Sequence, residues 1–131
     1  TGEVLGMHNG LINYTIGQRK GLGISYKEPL YVIKLDIDKN QVIVGTEKEL
    51  YNSELEAINL NWIINVENRL EEGIECLAKI RYRAKEAKAK VISENNKTKV
   101  IFQEPQRAIT PGQSVVFYDE EGIVLGGGKI K

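Results

Sequence analysis

The chain has 131 residues and a mass of 14.7 kDa, which is room for one ordinary domain or two small ones and excludes a large enzyme. Hydrophobic residues make up 41% of the chain and charged residues 27%, a composition that predicts a folded core and excludes a disordered tail. The 18 basic and 18 acidic residues cancel to a net charge of zero, so the total charge points to no class of partner.

Three sequence features bear on a membrane segment, on the extent of the chain and on its cellular compartment. The longest stretch free of charged residues, residues 4–18, is interrupted by His and Asn and falls short of the roughly 20 apolar residues of a spanning helix, so we expect no membrane segment. The chain begins at Thr1 without an initiator Met or an apolar leader, and we expect a piece excised from a longer protein. A single cysteine, Cys76, excludes an internal disulfide and favours a reducing, cytoplasmic location.

The charges are unevenly distributed along the chain. Residues 46–77 contain eight acidic and two basic residues, whereas residues 78–99 contain eight basic and two acidic ones. This polarity predicts one face suited to a polyanion such as RNA. A set of Lys-rich strands that are simply solvated is the alternative.

Turn signals divide the first third of the chain into hairpins. Asn9-Gly10 lies between two apolar pairs and favours a tight hairpin turn, because Asn and Gly accept the positive φ values that it requires. Residues 30–37 and 41–45 are β-branched and apolar, and the polar residues 38–40 between them predict a second hairpin. The chain changes character near Glu54, so we place a small hairpin-rich module in residues 1–54 and a second domain in residues 55–131.

The second domain shows strand signals almost throughout. Turns are predicted at residues 95–96 and 119–122, and glycines 126–128 predict a bent or bulged closing strand. Short strands at this spacing predict a mainly β fold in which an antiparallel six-stranded β-barrel follows the hairpin module. The predicted strands are residues 59–66, 74–84, 87–93, 99–103, 114–118 and 123–125.

The strand predicted at residues 74–84 carries candidate contacts for a nucleic acid. A period of two places Lys79, Arg81 and Arg83 on one face, as a ridge of cations about 6 to 7 Å apart that suits a phosphate backbone. Tyr82 falls on the opposite face, where it would be a core residue. A partly exposed Tyr82 ring could instead stack on a base.

Two loops carry further candidate ligand contacts. Gln18, Arg19 and Lys20 lie among glycines that let a backbone approach closely, so the loop is either an anion contact or a structural turn. It lacks the spacing of an ATP or dinucleotide site. Pro111-Gly112 predicts a type II turn, and Gln113 after it could read a base edge or a ribose.

Catalytic chemistry is not predicted from these residues. His8 has no second histidine or cysteine pair nearby in the sequence, so we expect a turn residue and no metal site. Cys76 alternates with apolar residues and is interpreted as a core residue, as are Trp62 and Phe102. No nucleophile and base, and no pair of catalytic carboxylates, can be assembled.

Five runs in one order resemble a known family over nearly the whole chain. Together they resemble the C-terminal part of the tRNA-specific 2-thiouridylases of the bacterial MnmA type. The runs are YTIGQRKGLGI (residues 14–24), PLYV (29–32), KIRYR (79–83), PQRAITPGQSVVFY (105–118) and LGGGKI (125–130).

The resemblance implies a function for the parent enzyme. Members place sulfur on C2 of the wobble uridine in tRNAs for Lys, Glu and Gln, using ATP bound by an N-terminal domain and a persulfide fed by a sulfur-relay protein or cysteine desulfurase. The chain lacks the pyrophosphate loop and the two active cysteines of the family. It would therefore hold the latter part of the central domain and the C-terminal barrel, with no catalytic residue, cofactor or metal of its own.

The resemblance also implies residues for tRNA binding. The best matched positions are Arg81, Tyr82 and Gln113, with the loop at residues 18–20 as a weaker candidate. Two alternatives stay open: a scaffold barrel whose acidic stretch docks a basic partner, and a barrel that binds a small phosphorylated ligand at the residue 18–21 loop. The complete set of predicted tRNA contacts is Arg81, Tyr82, Gln113, Gln18, Arg19, Lys20, Lys79 and Arg83.

Overall fold

The computed structural model describes residues 3–8, 10–23, 26–66 and 69–131. The chain divides into two compact units, Thr1–Tyr51 and Asn52–Lys131. Strand β3 runs from Tyr51 to Trp62, so the boundary predicted after Glu54 falls inside this strand. No helix in the described ranges is both long and apolar enough to cross a membrane.

An antiparallel hairpin forms the regular part of the first unit. Strand β1 (Tyr31–Asp36) pairs with β2 (Gln41–Gly45), and the predicted second hairpin is confirmed. The turn between them ends at Asn40 with φ 52°, a left-handed conformation that Asn tolerates better than most residues. The carboxylate of Asp36 accepts a bond of 3.1 Å from the N–H of Lys39 and fixes the turn.

The residues on either side of Asn9-Gly10 do not form the predicted hairpin, so this prediction is wrong for them. Residues 3–8 contain no strand, Leu11–Asn13 form a short 3-10 helix, and Asn9 lies outside the described residues. The His8 ring explains the loop, because its Nδ1 accepts a bond of 2.9 Å from the N–H of Gly10. Its Nε2 lies 2.7 Å from the carbonyl oxygen of Asn40, which ties this segment to the β1–β2 turn.

A short 3-10 helix, Glu47–Leu50, precedes β3. Its sequence has no regular spacing of apolar residues. The Glu49 carboxylate accepts a bond of 3.1 Å from the backbone N–H of Thr46 and one of 3.2 Å from its hydroxyl. These bonds satisfy donors that a helix start otherwise leaves free. Three charged residues and the buried Leu50 therefore form a local structure that has no apolar repeat.

The second unit is the predicted closed six-stranded barrel, with strand order β3-β6-β5-β4-β7-β8. Both mainly β character and barrel closure are confirmed. One helical turn, α1 (Arg69–Glu72), precedes β4. The remaining strands are β4 (Ile74–Lys79), β5 (Ala87–Glu94), β6 (Lys97–Arg107), β7 (Ser114–Tyr118) and β8 (Val124–Ile130).

Alternating apolar residues fill the barrel. Val91, Val100, Val115 and Phe117 are fully buried, and they belong to one cluster of core residues from the barrel strands. The Trp62 ring stacks on Phe117, with ring centroids 5.2 Å apart. Phe102 is also buried, so the core assignment of Trp62 and Phe102 is confirmed.

The glycine run closes the barrel in β8, between β3 and β7. Gly126 pairs with Trp62 on one side and Phe117 on the other, and the predicted bulges occur in the register of β8 with both neighbours. A Cβ at Gly128 would lie 2.7 Å from the carbonyl oxygen of Ile58. Glycine is therefore required here for close approach of the strands.

Gly126→Ala is expected to destabilise the barrel by about 1 to 3 kcal/mol, the usual cost of overfilling a packed site. The added Cβ would lie 2.7 Å from the backbone oxygen of Asn61 and 2.7 Å from Cε3 of Trp62. A urea titration followed by far-ultraviolet circular dichroism measures the change. An unchanged midpoint would contradict this close approach at the closing strand.

Candidate nucleic-acid interface

The cationic ridge predicted on one strand is wrong, because β4 ends at Lys79. Beyond it the N–H of Ala84 donates a bond of 3.1 Å to the carbonyl of Arg81, which closes a tight turn. Tyr82 and Arg83 occupy the two central positions of that turn. Lys79 therefore lies on a strand, whereas Arg81 and Arg83 lie in the loop that follows it.

The register of β4 brings this loop close to the Pro-Gly turn. Lys79 pairs with Val116 of β7, so the end of β4 lies beside the beginning of β7. One guanidinium nitrogen of Arg81 is 3.4 Å from the carbonyl oxygen of Ala108, a long contact that joins segments 27 residues apart. The KIRYR run thus meets the run of residues 105–118 at one end of the barrel.

Backbone geometry at Ala108 supports the contact with Arg81. Ala108 is buried and has φ 54°, a left-handed conformation that costs free energy for a residue with a Cβ. The Thr110 hydroxyl donates a bond of 2.8 Å to the same Ala108 carbonyl. This carbonyl therefore accepts from two side chains and fixes the loop beneath Arg81.

The Pro111-Gly112 turn has the predicted geometry. Gly112 has φ 88°, as the third residue of a type II turn requires, and the N–H of Gln113 donates a bond of 3.2 Å to the carbonyl of Thr110. The N–H of Ile130 donates a bond of 2.9 Å to the carbonyl of Gln113 and fixes its backbone. The exposed Gln113 side chain has no hydrogen bond to another described residue, so its amide is available to a ligand.

Tyr82 is 91% exposed, so its assignment to the core is wrong and the stacking interpretation remains. The Lys79 ammonium lies 5.7 Å from the centroid of the Tyr82 ring, within the range of a cation–π contact. The Tyr82 ring is thus largely open to solvent. Beside cations it offers a stacking surface for a base.

The loop at residues 18–20 belongs to the first unit. Gln18 accepts a bond of 2.9 Å from the N–H of Thr15 and donates one of 2.8 Å to the carbonyl of Lys20. Both ends of its amide are thus engaged in shaping the loop. Arg19 and Lys20 are exposed, so the two cations are the members of this set that face solvent.

A groove of about 680 Å³ lies beside the same loop. Its lining includes Arg19, Tyr26, Lys27 and Glu28, so two cations, one carboxylate and an aromatic ring border it. These groups fit the alternative of a small phosphorylated ligand.

Loops at the two ends of the barrel carry opposite charge. The basic end is the loop of residues 80–86, where Arg81, Arg83 and Lys85 outnumber the single carboxylate of Glu86. The acidic end holds α1 and the turn between β7 and β8, where Arg69 is outnumbered by carboxylates. Those carboxylates are Glu71, Glu72, Asp119, Glu120 and Glu121.

Cys76 is half-buried and packs against the core. Burial raises the pKa of its thiol from 9.0 to about 11, which is the opposite of what a nucleophilic cysteine needs. The interpretation of Cys76 as a core residue agrees with this position. No three His, Cys, Asp or Glu side chains of the described residues are grouped in a way that could hold a metal ion.

Lys88 and Lys90 were not among the predicted contacts, although both are exposed on β5. A signal for them exists in the run AKAKV, because strict alternation sends the lysines to one face and the small apolar residues to the other.

Two family models match the chain. The model described as an aminomethyltransferase beta-barrel domain matches residues 52–130, and the one described as a tRNA methyl transferase PRC-barrel domain matches residues 1–46. The chain belongs to the aminomethyltransferase beta-barrel domain family. The match to this family begins at the first residue of the second compact unit.

Individual relatives name an activity. The chain is 53% identical to the tRNA-specific 2-thiouridylases MnmA of Acetivibrio thermocellus and Halothermothrix orenii, in each case over 131 residues and 99% of the chain. It is 50% identical over 132 residues to the enzyme of the same name in Clostridium beijerinckii. The chain spans 36% of the length of these relatives. The resemblance predicted from the five runs is confirmed.

Proposed function

We propose that the chain is the tRNA-binding portion of a tRNA-uridine 2-sulfurtransferase. The complete protein would thiolate C2 of the wobble uridine in tRNAs for Lys, Glu and Gln. Similarity to the 2-thiouridylases supports the class of substrate. The observation that carries the proposal is the contact between Arg81 and the Ala108 carbonyl, which unites two distant loops in one exposed, basic surface.

Each side chain of this surface has a distinct task in the proposal. Arg81 and Arg83 contact phosphates, because a guanidinium offers paired donors to phosphate oxygens. Tyr82 stacks on an unpaired base, and the Gln113 amide bonds to a ribose or a base edge. Lys79 supports the Tyr82 ring and adds a further positive charge.

In the first unit, Arg19 and Lys20 add weaker phosphate contacts. Gln18 acts on the tRNA indirectly, because its amide bonds hold the loop that carries these two cations. We thus expect a substitution of Gln18 to disturb the loop as a whole.

The chemistry would lie outside this chain. ATP would activate the base in another domain of the complete protein, and a persulfide sulfur would come from a sulfur-relay protein or a cysteine desulfurase in the cytoplasm. The chain itself would contribute no catalytic residue. It would hold the tRNA so that the wobble base reaches the catalytic domain.

Arg81→Ala is expected to weaken binding of tRNA for Glu or Lys by about 10-fold at low salt and to lower the log–log salt slope by about one. Fluorescence anisotropy of labelled tRNA at a series of salt concentrations measures both quantities. Arg69→Ala is the matched control, because it removes the same side chain at the acidic end. Equal affinities and slopes for Arg81→Ala and the unmodified chain would contradict the proposal.

The test also separates the alternatives. Binding of an unrelated double-stranded RNA as tight as that of tRNA would indicate a general polyanion surface. Absence of RNA binding, with capture of a basic protein partner that depends on the acidic end, would favour the scaffold alternative. Tight binding of inorganic phosphate or a phosphorylated small molecule that is lost in Arg19→Ala would favour a ligand in the groove.

A further inference from the structure

The outer face of β5 carries cations that the tRNA surface described above does not use. Along this strand Ala89 and Val91 point into the barrel and are buried, whereas Lys88 and Lys90 are exposed on the outside. Two residues of strand separate their Cα atoms by about 6.6 Å. The ridge that the sequence predicted on β4 thus has its counterpart on the neighbouring strand.

This face continues directly from the basic end of the barrel. Lys88 is paired with Leu77 of β4, two residues before Lys79 on the same outer face. The Lys79 ammonium in turn lies over the Tyr82 ring. Lys79, Lys88 and Lys90 therefore form a row that begins at the tyrosine and leads along the barrel wall.

The three ammonium groups have no carboxylate partner among the described residues. Glu75 is paired with Lys90 across the strands, and Glu86 lies just before β5, yet neither forms an ion pair with these lysines. The Lys90 stem lies over Gly73, where a Cβ would collide with it. The lysines of the row are therefore not held in ion pairs with described residues.

We propose that Lys88 and Lys90 form a second contact with the phosphate backbone of the tRNA, continuous with the surface at Arg81 and Tyr82. This inference rests on the proposed function, since it extends the same bound RNA along the barrel wall. The contact is electrostatic and independent of sequence, because lysine ammonium groups on a strand face phosphates rather than base edges. It adds affinity and fixes the direction in which the RNA leaves the loop.

The double variant Lys88→Gln with Lys90→Gln tests the contact. Loss of two phosphate contacts is expected to lower the log–log salt slope for tRNA by about 1.4 to 1.8 and to weaken binding by about 10- to 30-fold at low salt. The matched control is Arg69→Gln with Lys97→Gln, which removes the same charge at the other end of the barrel. We expect this control to change affinity less than about 2-fold.

Charge-conserving variants separate a contact from a folding effect. Lys88→Arg with Lys90→Arg is expected to keep the affinity and the slope, and circular dichroism checks that every variant retains the fold. If the Gln double variant binds like its control while Arg81→Ala is weakened, the second contact is wrong and the proposed function stands. If the unmodified chain does not bind tRNA at any salt concentration, the proposed function fails and this inference fails with it.

Discussion

Phe117→Ala is expected to lower the free energy of unfolding of the barrel by about 3 to 5 kcal/mol, the range for removing a buried aromatic ring from a core. Phe117 has no exposed surface, and its ring stacks on Trp62 with centroids 5.2 Å apart. Since domains of this size are stable by only about 5 to 15 kcal/mol, the variant would lose much of its stability. Urea denaturation followed by the fluorescence of the single tryptophan measures the loss.

Ile101→Ala is the control for this result. Ile101 lies on β6 and is 37% exposed, so its truncation leaves no sealed cavity and is expected to cost less than about 1 kcal/mol. Phe117→Leu provides a milder second variant in case Phe117→Ala does not fold. Equal costs for the Phe117 and Ile101 truncations would contradict the placement of the core around Phe117.

The Cys76 thiol is expected to react about 100-fold more slowly with iodoacetamide at pH 8 in the folded chain than in urea. Burial raises its pKa from 9.0 to about 11, so the reactive thiolate falls from about a tenth of the molecules to about one in a thousand. Mass spectrometry of the alkylated chain at timed intervals gives the two rates. A folded-state rate equal to the rate in urea would show an accessible thiol and contradict the burial.

The same pKa shift predicts how stability depends on pH. Well below pH 9 the thiol is protonated in both the folded and the unfolded chain, so it has no effect on their balance. Between pH 9 and pH 11 the unfolded thiol ionises first, and stability falls as the pH rises. Cys76→Ala removes this component, so the difference between the two chains isolates it from the titration of other groups.

The barrel was predictable because its signals are local. Strand β7 was predicted with its observed bounds, since a β-branched and aromatic run from Val115 to Tyr118 lies between a type II turn and a polar turn. The left-handed φ values of Asn95 and Asn96, 52° and 64°, likewise follow from the preferences of Asn. The glycine run predicted the closing strand because only glycine permits so close an approach.

The two errors of structure have long-range causes. Nothing local to Asn9-Gly10 shows that the His8 ring reaches Asn40, a residue 32 positions away. The predicted length of β4 followed the alternation past Lys79, where β5 no longer supplies a partner. Ala78 pairs with Ala87, the first residue of β5, so the next residues of the chain have no β5 strand beside them.

The members of the candidate site were predicted from their residue types and from the family resemblance, and not from their positions in space. Arg81, Tyr82 and Gln113 could be selected as residues, but their meeting depends on the register of β4 with β7. The left-handed backbone of Ala108, which presents its carbonyl to Arg81, carries no signal in an Ala residue. Candidate side chains could therefore be selected from the sequence, whereas the geometry that joins them could not.

The opposite charges at the two ends of the barrel give the module an electric dipole along its axis. In the field of a tRNA such a dipole experiences a torque, which turns the basic end toward the phosphates before any contact forms. The carboxylates of the β7–β8 turn repel the same phosphates and oppose encounters in the reverse orientation. Although the barrel has no net charge, it can thus approach RNA in one preferred orientation. Salt screens the field and would therefore slow productive encounters.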